Sequence, residues 1–199
     1  MEGLFSKLLV TSLLILLAIG SNKSSSLVAM ANPTSTEFIR TSCRSTTYPR
    51  LCFSSLSIHA NLIRTSPRIL ASTALYVALS SVNSTSSAMV KLSKSPGMSH
   101  RVIGAMKDCV EELGDSVEEL QRSIGEMSKL RSSNFQLFMS DIQTWVSAAL
   151  TDENTCTDGF AGNAMNGKVK TIVRGKIVTV AQLTSNSLAL INQYASRHG

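Results

Sequence analysis

The chain has 199 residues, 43% of them hydrophobic and 16% charged, with a formal net charge of +6 and a pI near 9.4. That is enough for one domain with a real core. A basic balance invites an anionic partner, but the lysines and arginines are scattered, clustering only at Lys168, Lys170, Arg174 and Lys176 without interleaved aromatic residues, which excludes a nucleic-acid surface.

The chain opens with Lys7, an apolar run from Leu8 to Ile19, a polar stretch and Ala29-Met30-Ala31. This reads as a signal peptide over residues 1–31, cut after Ala31 by the small-x-small rule or earlier near Ser21. The apolar run is short for a membrane span and no later stretch matches a span's length, so a soluble exported protein is expected. Loss of the leader removes Lys7, Lys23 and Glu2, and the remainder stays basic.

Four cysteines in an exported chain suggest two disulfides, with three possible connectivities. Cys43 and Cys52 bracket Tyr48-Pro49, which suits a local bridge across a tight turn and leaves Cys109 with Cys156. No CxxC occurs, and His59, His100 and His198 are isolated, so neither a metal nor a cofactor is expected.

From about residue 34 to 60, the apolar groups Phe38-Ile39, Leu51, Phe53 and Leu56-Ile58 predict two short helical turns folded against each other. Neither would persist alone, and a Cys43–Cys52 staple explains their survival. Pro67 then starts a helix to about Leu92, with Leu70, Ala74, Val77, Ser81, Ala88 and Leu92 on one face. Leu75, Leu79 and Val82 form a second stripe, so this helix should be covered twice. Asn83-Ser84-Thr85 is a glycosylation acceptor, with Asn83 pointing away from the main stripe.

Pro96-Gly97 breaks the chain. The next helix, capped by Ser99, carries Val102, Met106, Cys109, Leu113, Val117, Leu120, Ile124 and Met127 at spacings of three and four. Its opposite side holds Asp108, Glu111, Glu112, Asp115, Glu118 and Glu119. After a turn at Arg131-Ser132-Ser133-Asn134, a long helix runs to about Phe160. Its seam is Phe135, Phe138, Ile142, Val146, Ala149, Cys156 and Phe160, interrupted only by Glu153. Cys109 and Cys156 lie on their helices' core stripes and equally far from the turn, which independently supports their pairing. Gly159, Gly162, Asn163, Asn166 and Gly167 supply the break. Beyond Lys168 the run TIVRGKIVTV looks like a strand, yet Val173, Ile177, Val180, Thr184, Ser187, Leu188, Ile191 and Ala195 keep a helical stripe, and period outweighs local β-propensity. The expected fold is all-α: an up-down-up-down four-helix bundle at about 67–196, preceded by a disulfide-stapled hairpin, with residues 32–199 as one domain.

The segments Cys43-Arg-Ser-Thr-Thr-Tyr48-Pro49-Arg-Leu-Cys52, Lys107-Asp108-Cys109-Val-Glu111, Trp145-Val-Ser147-Ala148-Ala149-Leu150 and Thr155-Cys156-Thr157-Asp158-Gly159-Phe160 together resemble the plant invertase and pectin methylesterase inhibitor family. The resemblance spans essentially the whole mature chain. It implies the same bundle and bridges and a cell-wall or apoplastic location. Invertase inhibitors carry a Pro-Lys-Phe tripeptide near the turn between the second and third bundle helices; here that stretch reads Ser133-Asn134-Phe135. The Ser147-Ala-Ala-Leu150 and Thr155-Cys-Thr-Asp158 runs look more like pectin methylesterase inhibitors. The implied function is a secreted, non-enzymatic inhibitor that occludes the pectin-binding cleft of a methylesterase, one to one and as a monomer, with acid invertase as the alternative target. Because the last helix is followed directly by Gly199, the chain reads as a free-standing inhibitor rather than an esterase's pro-region. An enzyme is disfavoured by the lack of Gly-x-Ser-x-Gly, His-Glu-x-x-His or a phosphate-cradling loop.

A helical wheel sends Asp158 outward, with Gln143 and Thr155 to either side on one exposed stripe, and turns Asp115 and Glu118 away from the Cys109 seam. By resemblance, Thr155, Asp158, Asp115 and Glu118 match positions through which such inhibitors contact their enzyme. Thr155 also has a plainer reading, as a hydroxyl bonded back to its own helix.

Overall fold

The computed structural model describes residues 32–161 and 167–198. The leader at 1–31, and the break residues Gly162, Asn163 and Asn166, lie outside them. Seven α-helices follow in order among the described residues: α1 Pro33–Cys43, α2 Pro49–Ser57, α3 Ala60–Ile63, α4 Pro67–Ser93, α5 His100–Lys129, α6 Phe135–Gly159 and α7 Lys168–Ala195. A 3₁₀ turn at Ser132–Asn134 joins α5 to α6.

The helix starts are set locally. Asn32 and Ser66 accept from the backbone N–H groups of Thr34 and Ile69, each ahead of a proline whose fixed φ suits the first helical turn. Ser99 caps α5 through Val102 N. Gly97 and Gly167 hold φ of +80° and +110°, which a residue with a Cβ rarely adopts, at the entries to α5 and α7. The β-branched run after Lys168 is helical, as its period requires.

The four long helices pack in a ring, α4 on α5, α5 on α6, α6 on α7 and α7 on α4. Each buries a seam at alternating spacings of three and four. The seams are Ala71, Leu75, Ala78, Val82, Thr85 and Met89 on α4, and Met106, Cys109, Leu113, Ser116, Leu120, Ser123 and Met127 on α5. On α6 they are Met139, Ile142, Val146, Ala149, Glu153, Cys156 and Phe160; on α7, Val173, Ile177, Val180, Thr184, Ser187, Ile191 and Tyr194. This heptad pattern is the geometry of bundles packed knobs into holes.

Three sequence expectations change. The α4 seam is displaced from the one expected: Ser81, Ala88 and Leu92 are only half-buried, while Leu70 and Ala74 face the hairpin. On α5, the strict heptad buries Ser116 and Ser123 and leaves Val117 and Ile124 half-buried. The hairpin has three helices, and the first, of 11 residues, starts at the Asn32 cap.

That hairpin has its own core, where Ile39, Leu56, Ala60 and Ile63 meet Leu70, Ala74 and Leu190. The double coverage of α4 is therefore present. Cys43–Cys52 staples the hairpin and Cys109–Cys156 joins α5 to α6, with Cα atoms 5.6 and 4.4 Å apart. Asn186 of α7 anchors the hairpin turn, accepting from Tyr48 N and donating to Tyr48 O, each at 3.0 Å.

Candidate functional site: the bridged α5–α6 face

Every acidic residue except Glu2 and Glu37 lies on α5 or α6, and α6 carries no lysine or arginine. Packing brings several of these carboxylates face to face across the α5–α6 seam. Burial, and then the Asp152 carboxylate beside it, pushes Glu119 up to about 7. Asp152 is itself raised by burial, and Glu112 by burial followed by Asp152. Nearer the turn, Glu126 is raised by burial and then by Asp141. Arg122 is the basic side chain at the upper cluster, 3.6 Å from Glu118 with both groups well exposed, so it offsets little of this repulsion. The Cys109–Cys156 bridge clamps the two helices where their charges push apart.

Two shallow depressions mark this face. One is lined by Asp115, Glu118, Glu119, Arg122 and Asp152. The other lies over the disulfide, where Arg101, Asp108 and Glu112 of α5 meet Thr155 and Asp158 of α6. Asp115, Glu118, Thr155 and Asp158 are all exposed, and the structure places them across the two bridged helices. Thr155 Oγ1 donates to Thr151 O at 2.9 Å, Thr151 to Ser147 O and Ser147 to Gln143 O, giving α6 an outward ladder of hydroxyls. Gln143 does not join this group: it is half-buried and donates to Asn192 Oδ1 at 2.8 Å, at the seam with α7. The wheel expected it on an exposed stripe with Thr155 and Asp158, but α7 packs against that position and half-buries it.

The residue that interrupts the α6 seam stays in it. Glu153 is 0% exposed, and its Oε1 accepts from Ser116 Oγ of α5 at 2.8 Å and from Thr184 Oγ1 of α7 at 2.9 Å. Burial raises its carboxyl to about 7 against the lowering effect of those two donors. Its Oε2 has no hydrogen-bond partner. Three bundle helices therefore meet at one buried polar layer. The stripes expected from the sequence held Glu153 and Thr184 but put Val117 in place of Ser116 on α5, so the layer was only partly legible there. No metal-binding group of three or more His, Cys, Asp or Glu occurs among the described residues.

The family model described as plant invertase/pectin methylesterase inhibitor matches residues 37–190. The chain is 46% identical to pectinesterase inhibitor 9 of Arabidopsis thaliana over 93% of each chain. It is 45% identical to a 21 kDa protein of Daucus carota, covering 97% of this chain and 96% of that one. It is 43% identical to pectinesterase inhibitor 11 of Arabidopsis thaliana over 89% and 90%. A crystal structure of a pectin methylesterase inhibitor from Arabidopsis, in a mutant form, superposes with a TM-score of 0.63 at 20% identity, covering 77% of this chain and 95% of that one, a likeness of fold.

Proposed function

Because the chain belongs to the plant invertase/pectin methylesterase inhibitor family, we propose that it is a secreted inhibitor of pectin methylesterase, free of chemistry of its own, that occludes the enzyme's pectin-binding cleft. Relatives bearing the name pectinesterase inhibitor, matched over most of both chains, support the esterase as target. The stretch Ser133-Asn134-Phe135, where invertase inhibitors carry Pro-Lys-Phe, gives the invertase reading no support. The leader at 1–31 supports export to the apoplast and cell wall. No described helix is long and apolar enough to cross a membrane.

The observation that carries the binding face is the gathering of under-compensated carboxylates across the bridged α5–α6 pair. Like charges held together cost the isolated protein stability, and a basic enzyme surface would supply the missing counter-charge. Asp115, Glu118 and Asp158 provide the field, and Thr155 lies in the hydroxyl ladder beside them. Gln143, at the α6–α7 seam, extends the face only if the enzyme also reaches α7. The protein acts as a monomer and forms a one-to-one complex. Size-exclusion chromatography with light scattering tests this reading: mixtures with a plant pectin methylesterase should give one peak at the summed mass. A peak with acid invertase and none with the esterase would overturn it.

A further inference from the structure

On the far side of the ring, a groove of about 570 Å³ runs between the hairpin and α4. Its walls are apolar and open to solvent: Ile58 is 78% exposed, Leu62 62% and Tyr76 57%. Along α4 the same groove is lined by the hydroxyls of Ser80, Ser81 and Ser84. No carboxylate, lysine or arginine lines it. Ile58, Leu62 and Tyr76 thus present their apolar faces side by side along one open groove. Aliphatic and aromatic faces alternating with neutral hydroxyls suit a saccharide, whose rings present C–H faces to Tyr76 and hydroxyls to the serines.

The acceptor Asn83-Ser84-Thr85 sits at the end of this groove. Asn83 is exposed and lies seven residues beyond Tyr76 on one helix, so the two share a face about 10 Å apart. Helical side chains lean toward the N-terminus, and that of Asn83 therefore leans over Ser80 toward Tyr76. We propose that Asn83 carries an N-linked glycan whose inner sugars lie in this groove and cover Ile58, Leu62 and Tyr76. The transfer uses a lipid diphosphate-linked oligosaccharide. The Asn83 side-chain nitrogen bonds to the anomeric carbon, the sugar–phosphate bond breaks, lipid diphosphate leaves, and the amide gives one proton to the transferase's base. Thr85, buried in the folded protein, is reached because transfer precedes folding.

The inference rests on the export reading, and expression of the full chain in plant leaf separates the two. Secreted protein should show a hexose-containing mass increment on the Asn83 peptide, absent from Asn83→Gln. Trimming the native glycan, or Asn83→Gln, should raise fluorescence of an anilinonaphthalene sulfonate dye several-fold. Tetranitromethane should then nitrate Tyr76 several times faster, with Tyr48 unchanged as the internal control. Secreted protein bare at Asn83 overturns the proposal alone, whereas bare protein retained inside the cell overturns the export reading with it. A glycan whose removal alters neither dye binding nor Tyr76 nitration, or a glycosylated dimer that buries Tyr76, also overturns it.

Discussion

At the scale of single residues, Glu153 has the largest calculable consequence. Its folded carboxyl is raised from 4.5 to about 7, so between those values the folded state holds a proton that the unfolded chain has released. The contribution to stability is complete below about pH 4.5 and is lost as pH rises toward 7, by roughly 3 kcal/mol at most. Glu119, Asp152 and Glu112 shift in the same direction, but they are solvent-screened and serve as background. Denaturant midpoints of the wild type should therefore fall from pH 4.5 to 7, and Glu153→Gln, still accepting from Ser116 and Thr184, should show a shallower fall. Equal slopes would mean that Glu153 is ionised throughout. Sequence reading found this residue only as an interruption, because a charged type on an apolar stripe carries no sign of whether donors await it. The donors come from other helices, 37 and 31 residues away.

At the scale of elements, periodicity made the helices legible even where composition pointed elsewhere, as in the β-branched start of α7. It failed where two partners compete for one helix. On α4 the bundle and the hairpin each take a stripe, and sequence alone cannot say which cover is the larger. The Asn186–Tyr48 contact spans 138 residues and left no trace in spacing. Asn186→Leu should leave the half-buried Tyr48 N–H without its partner, while Tyr48 O keeps the bond from Cys52 N, at a cost of about 0.5–1.5 kcal/mol. Hydrogen exchange should quicken in α1–α3 with α5 and α6 unaffected; uniform quickening would show that the hairpin and bundle open as one unit. The Cys109–Cys156 bridge closes a loop of sequence separation 47 and opposes the carboxylate repulsion beside it. Cys156→Ser should cost about 2–4 kcal/mol and lower Tm by several degrees. The loss should shrink as pH falls, since the carboxylates then take up protons and stop repelling. A pH-independent loss would leave chain entropy as the whole effect.

At the scale of the molecule, the chain is basic in sum but divided in space. Its acids collect on α5 and α6, while the loose basic cluster of Lys168, Lys170, Arg174 and Lys176 begins α7. Net charge alone hid this division, and the wheel of a single helix showed only half of it, since Asp152 and Asp141 meet the α5 carboxylates only after packing. Thr155 and Asp158 line one depression on the bridged pair and Asp115 and Glu118 another, while Gln143 lies apart at the α7 seam. If that face meets the esterase, charge should govern encounter more than residence. Asp115→Lys and Asp158→Lys should each slow association and flatten its salt dependence, leaving dissociation and helical circular dichroism nearly unchanged. The most direct measurement is a titration of plant pectin methylesterase activity with the wild type and the folded double variant, with acid invertase in parallel. The account predicts stoichiometric loss of esterase activity with the wild type, several-fold weaker inhibition by the variant, and intact invertase. Inhibition of invertase alone, or equal potency of the two proteins against the esterase, would contradict it.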